Sequence, residues 1–176
     1  MEINGYKIKY SVKELADKIN SQTRKIELID KTNQAYSALP EGDKKALDYL
    51  ANAARIMNDV ALEMDHPLNL IQKQALENYS PENRQAELAL KLFNSLNGVA
   101  GYNGIDKEPV EIFEGIKMQA GCNFYPSNLS AEELSAIIEA MLDAGHIEEV
   151  KKILSARTMV RRNGDFLKAI DYTEYF

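Results

Sequence analysis

Ser130-Ala131-Glu132-Glu133-Leu134-Ser135-Ala136-Ile137-Ile138-Glu139-Ala140-Met141-Leu142 is the stretch that decides the fold class. Ser130 and Glu133 make an S-x-x-E capping box, in which each side chain satisfies a backbone N–H of the other residue. Leu134, Ile137, Ile138, Met141 and Leu142 follow at i, i+3, i+4, i+7 and i+8, one face of a helix. Gly145 is placed as the residue just past its end. Ile147, Val150 and Leu154 then suggest a further short helix.

The same signals recur toward the N-terminus. Ser11 and Glu14 form a second capping box. Val12, Leu15, Ala16, Ile19, Thr23, Ile26, Ile29 and Tyr36 then predict one long helix over residues 11–38. Pro40-Glu41-Gly42-Asp43 breaks it. A second helix is expected over 43–64, with Leu47, Leu50, Ala51, Ala54, Met57, Ala61 and Met64 as its buried stripe. His66-Pro67 ends it, because proline pushes the preceding residue out of the helical region. A shorter helix covers 68–77. Ser80-Pro81 reads as the next helix start, an N-cap with proline at the first helical position. Leu88, Ala89, Leu92, Phe93 and Leu96 face inward, and Asn97-Gly98 stops that helix.

Strand signals are few. Residues 3–10 alternate weakly and read as a short strand or arm. Residues 98–125 hold five of the nine glycines and read as a glycine-rich loop with one short strand or turn near 110–116. A connection of that length is more often functional or mobile than neutral. The C-terminus is a β-hairpin over 157–171, with Asn163-Gly164 as a type I′ turn. The expected fold is a mainly α, multi-helix single domain over 1–176. Its small β component is the C-terminal hairpin, joined by the N-terminal strand.

Composition excludes several functions. The 176 residues carry 21 Lys and Arg against 27 Asp and Glu, a net charge of −6. A mildly acidic chain without a basic run is a poor grip for a phosphate backbone, so no nucleic acid is expected. No apolar run approaches ~18 residues, so no membrane span is expected. Residues 1–10 lack a secretory signal's apolar core, and a cytoplasmic location is the default. One cysteine makes neither an internal disulfide nor a cysteine cluster for zinc. No cofactor is expected.

Candidate chemistry is sparse. His66 and His146 belong to no H-E-x-x-H pattern. A His146/Glu149 site is weighed against a solvated helix end, and the latter is favoured. Cys122 has no base near it in sequence and reads as a structural thiol. Glu132-Glu133, Glu148-Glu149 and Asp59 with Glu63 read as solvated helix faces. Residues 98–104 are glycine-rich but lack G-K-[ST] and a following helix, so no phosphate cradle is supported. Arg157, Arg161 and Arg162 form a basic cluster, with Arg161 and Arg162 on opposite strand faces. One of them could hold a carboxylate bidentately, or the charge keeps an edge strand soluble.

Three stretches in order, 46–59, 121–133 and 158–175, resemble the N-terminal region of bacterial proteins of the dipeptidyl peptidase III-like metallopeptidase family. The first resembles that family's alanine-rich helix. The second is similar to its N-F-Y-P segment, here Asn123-Phe124-Tyr125-Pro126. The third resembles its Arg-Arg hairpin and closing tyrosine-rich segment. The resemblance covers about residues 43–176. It implies a zinc peptidase fold relative, yet the family's H-E-x-x-x-H helix does not occur here, and those elements lie beyond the chain's last residue. No catalytic and no metal residue carries over. The resemblance implies instead a non-catalytic piece that binds a peptide or a protein partner. Asn123, Phe124, Tyr125 and Arg161 are the candidate binding residues. Asn123 offers an amide to a peptide backbone and the two rings offer flat apolar area; the competing role is a chain turn with both rings in the core. The alternatives are a subunit or fragment of a zinc peptidase whose catalytic part lies on another polypeptide segment, and an enzyme using Cys122 or His146 with Glu149.

Overall fold

Asn4 and Gly5 both take positive φ, 51° and 80°. That is type I′ geometry, whose twist matches two flanking strands. It turns β1 (Glu2–Ile3) onto β2 (Tyr6–Lys7). The computed structural model describes residues 1–21, 32–104 and 106–176. Among these the fold is mainly α with three separate two-stranded antiparallel sheets. The N-terminal segment pairs with itself and does not join the C-terminal hairpin, because the turn at Asn4-Gly5 spends its ladder locally.

The chain divides into two compact units, Met1–Glu63 with Leu68–Lys117, and Met64–Pro67 with Met118–Phe176. In the first, Ser11 closes the expected capping box on α1 (Val12–Asn20). The continuous helix expected over 11–38 is corrected. Ser21 caps α1, and Asn33 is extended and caps a separate α2 (Gln34–Ser37). Thr23, Ile26 and Ile29 lie outside the described residues. α3 (Glu41–Asp65) follows, then α4 (Asn69–Tyr79) and α5 (Arg84–Leu96). Ser80 does not start α5. It caps the end of α4, and Asn83 Oδ1 accepts from Gln85 and Ala86 instead. Asn97 ends α5 in the left-handed region, φ 56°.

β3 (Ala100–Tyr102) pairs with β4 (Pro109–Glu111) inside the glycine-rich segment. The apolar residues around this pair belong to the core: Val99, Val110, Ile112, Phe113 and Ile116 are buried with Leu15, Leu76, Leu92 and Phe93. The Lys9 N–H donates to Ile112 O, and the Glu114 N–H to Lys7 O. Burying Phe93 and Phe113 alone contributes about 2–3 kcal/mol each.

α3 departs from expectation most. Its apolar stripe is where the spacing puts it, but Leu47, Leu50 and Met57 are 42%, 65% and 64% exposed. Of the helix only Leu62 is buried. Periodicity marks an apolar face and does not say what covers it.

Two amides are buried on α4, three residues apart. Asn69 is fully engaged: Nδ2 donates to Leu62 O and Oδ1 accepts from the Val99 N–H, both at 2.9 Å. Gln72 is buried with neither amide atom hydrogen-bonded. Gln72→Met keeps the shape and removes two orphaned polar atoms. It is expected to raise stability by about 1–2 kcal/mol in urea unfolding; a loss of similar size would contradict the orphaned state.

In the second unit, α6 (Ala131–Asp143) starts at Ser130 and α7 (Ile147–Ile153) follows Gly145, φ 81°. β5 (Thr158–Asn163) pairs with β6 (Phe166–Asp171), and α8 (Tyr172–Tyr175) follows. Met141, Val150, Ile153, Val160 and Leu167 form its core. The hairpin turn shifts by one residue from expectation. Asn163 pairs with Phe166, so Gly164-Asp165 are the turn, and Gly164 alone has positive φ, 62°. Glycine at the first turn position makes this type II′ rather than I′.

Candidate functional site

Val160 and Ala169 face each other across the hairpin. The Val160 N–H donates to Phe124 O and the Ala169 N–H to Glu149 Oε1, each at 2.7 Å. Both N–H groups therefore point away from the partner strand, a non-hydrogen-bonded pair. At this level each edge is covered, one by residues 123–124 and the other by a carboxylate, which blunts unwanted strand addition.

Arg161 fixes the covering segment. Its Nη1 donates to Asn123 O at 3.0 Å and Val160 O at 2.8 Å. Its Nη2 donates to Asn123 Oδ1 at 3.3 Å and the Tyr175 hydroxyl at 2.9 Å. The guanidinium also lies 5.0 Å from the Tyr175 ring centroid. The buried Asn123 donates its N–H to Met64 O at 2.8 Å. Asn123 and Arg161 thus meet each other, and Asn123 N–H, C=O and Oδ1 are all engaged within the chain. Tyr175 and Glu149 complete this arrangement. Sequence spacing carries no signal for either role, since the partners come together only through the hairpin.

Beyond this segment opens a pocket of ≈ 380 Å³. Phe124, Tyr125 and Leu154 wall it, with Gly121, Cys122, Ser155 and Thr158 around them. Tyr125 is anchored by its hydroxyl, which donates to Ile153 O at 2.9 Å. Phe124 is half-buried, its ring 6.3 Å from that of Tyr172. The wall is largely apolar with a few polar groups, the make-up of a site for an apolar side chain. The Cys122 thiol sits 3.7 Å from Asp65 Oδ1. Burial first, then the Asp65 charge, push its pKa up. A thiol so placed stays protonated at neutral pH and is a weak nucleophile.

His146 and Glu149 line a second pocket of ≈ 230 Å³. The His146 ring stands edge-on to Phe166, centroids 5.4 Å apart. His66 is buried, 3.5 Å from Gln119 Nε2. Among the described residues, no three His, Cys, Asp or Glu side chains are grouped to hold a metal.

Arg162, on the opposite face from Arg161, forks onto Glu133 at 2.9 and 3.0 Å and donates to Asn128. The Glu133 N–H still donates to Ser130 Oγ at 3.1 Å, so the expected cap holds while the carboxylate also takes Arg162. The hydrogen bond from Arg162 holds the Glu133 carboxyl below the ordinary glutamate value of 4.5. A depressed folded-state pKa stabilises above the unfolded value and loses that contribution as pH falls through the folded one. Glu133→Gln is therefore expected to flatten the loss of stability below pH 4.5. Urea midpoints measured between neutral and acid pH check this.

No protein-family model and no curated protein matches the chain. Among solved structures, dipeptidyl peptidase III (DPP III) from Caldithrix abyssi matches with a TM-score of 0.66 at 24% identity. The match covers 92% of this chain and 28% of that one, so the chain spans little more than a quarter of that protein's length. The resemblance carried by residues 43–176 thus has its counterpart in three dimensions: the chain shares its fold with part of a dipeptidyl peptidase III.

Proposed function

We propose that the chain is a non-catalytic relative of the N-terminal region of a zinc dipeptidyl-peptidase-like protein. It holds a peptide, or an extended segment of a partner protein, by an apolar side chain in the pocket walled by Phe124 and Tyr125. The pocket of ≈ 380 Å³ carries this reading. It opens beside the N-F-Y-P segment, which Arg161 braces. Asn123 and Arg161 act as positioning residues, since their polar groups are spent on each other. The setting is taken as cytoplasmic and bacterial. No described helix is long and apolar enough to cross a membrane.

Fluorescence anisotropy with fluorescein-labelled tetrapeptides, each bearing one large apolar residue, tests the pocket. Phe124→Ala is expected to weaken the tightest binder about tenfold or more, the loss of one buried ring contact. An unchanged affinity in a folded variant sinks the assignment.

The second reading is a subunit or fragment of a zinc peptidase whose catalytic part lies on another polypeptide segment. The 28% coverage of the DPP III chain favours it. An immunoblot of source cells separates the two. A band near 19.8 kDa supports a short binding protein. A band several times larger supports the fragment.

A further inference from the structure

Leu167 carries backbone groups that the chain leaves unpaired. Val160 and Ala169 form a non-hydrogen-bonded pair, and the register runs unbroken to Arg162 opposite Leu167, a pair of the same kind. The Leu167 N–H and C=O therefore both point away from β5, off the free edge of β6. Neither has a partner among the described residues, although Leu167 is 2% exposed and buried backbone groups are nearly always paired. This edge is part of the wall of the ≈ 230 Å³ pocket beside His146. The rings of His146 and Phe166 stand at 63° to each other and make a flat-sided corner there, with Met141 alongside. The His146 side chain makes no cap hydrogen bond to α7. A cavity of about 150 Å³ holds a benzene ring, so this one has room for a substituted ring or a small fused pair.

We propose that this pocket binds a planar ring compound bearing a lactam or carboxamide, whose C=O accepts from the Leu167 N–H and whose N–H donates to Leu167 O. It shares no lining residue with the pocket beside Phe124, so the two assignments stand or fall separately. A peptide strand does not fit this edge. The next outward N–H, that of Ala169, is taken by Glu149 Oε1 at 2.7 Å, and the Gly164-Asp165 turn lies the other way. The free edge is thus one residue long, which suits a small molecule and not strand addition. A carboxylate fits less well than a lactam. Its second oxygen would face Leu167 O, acceptor against acceptor, beside the Glu149 charge.

An NMR titration of the ¹⁵N-labelled full chain with the fused lactam isocarbostyril, beside its N-methyl derivative and benzoate, tests the assignment. The lactam should move the Leu167 amide and those of His146 and Lys168 saturably, at the millimolar affinity expected of so small a ligand. N-methylation removes the donor to Leu167 O and should weaken binding by at least about tenfold. His146 is exposed, so His146→Ala should keep the dispersion of the hairpin signals and weaken the lactam by about threefold or more, the loss of one ring contact. No saturable shift at Leu167 up to about 20 mM lactam overturns the proposal. Shifts confined to residues 121–125 and 154–158, equal affinity for the N-methyl derivative, tighter binding of benzoate, or unchanged affinity in His146→Ala overturn it as well.

Discussion

Asn69→Leu is expected to lower stability by about 3–4 kcal/mol, the largest single effect on the first unit. The side chain supplies a donor to Leu62 O and an acceptor to the Val99 N–H. Leu62 and Val99 are each 1% exposed, so water does not replace the amide. Each orphaned buried group costs about 1–3 kcal/mol. Gly98 adds a close fit, because a Cβ there would lie 3.2 Å from the Asn69 amide. The amide thus ties the end of α3 and the lead into β3 to α4. Gln72, one turn along, carries the same functional group without partners, and Gln72→Met is expected to act in the opposite sense. Urea unfolding of the two variants beside the wild type checks both signs. A neutral Asn69→Leu would mean that these groups find water or each other.

Arg161→Met should lower the stability of the second unit by about 2–3 kcal/mol. Four donated hydrogen bonds and a ring contact are lost. Bonds to a charged donor contribute about 1.5–3 kcal/mol each, and the half-buried site lets water recover part of that. Arg161→Lys should restore a minority of the loss, since one ammonium cannot span Asn123 O, Asn123 Oδ1 and Tyr175 together. Hydrogen exchange gives the specific reading. The Val160 N–H, which donates to Phe124 O, should exchange faster in Arg161→Met, with amides of α4 and α5 unchanged.

Local rules made much of the fold legible. Ser11 and Ser130 start helices because a hydroxyl reaches an orphan N–H within three residues, and that needs no distant information. Asn97 and Gly145 end helices for the same kind of local reason. Asn4-Gly5 carries a hairpin signal too, but with strands of two residues the alternation around it is too short to read. The break between α1 and α2 was hidden, since apolar spacing through residues 11–38 continues across it. The exposure of Leu50 and Met57 could not be read either, because a periodic face looks alike whether it is covered or open. At the site, residue types were legible and geometry was not. Asn123 and Arg161 stand 38 positions apart and meet only once the hairpin folds. The wall formed by Leu154, Ser155 and Thr158 follows from the end of α7, which spacing alone does not aim toward Phe124.

We propose that the pocket beside Phe124 binds a peptide and leaves it intact. A ¹⁵N NMR titration of the full chain with the tightest tetrapeptide, with mass spectrometry of the same sample, tests it most directly. Saturable shifts are expected at Gly121, Cys122, Phe124 and residues 154–158, with the peptide mass unchanged. No shift there, shifts confined to other residues, or release of dipeptides would contradict it.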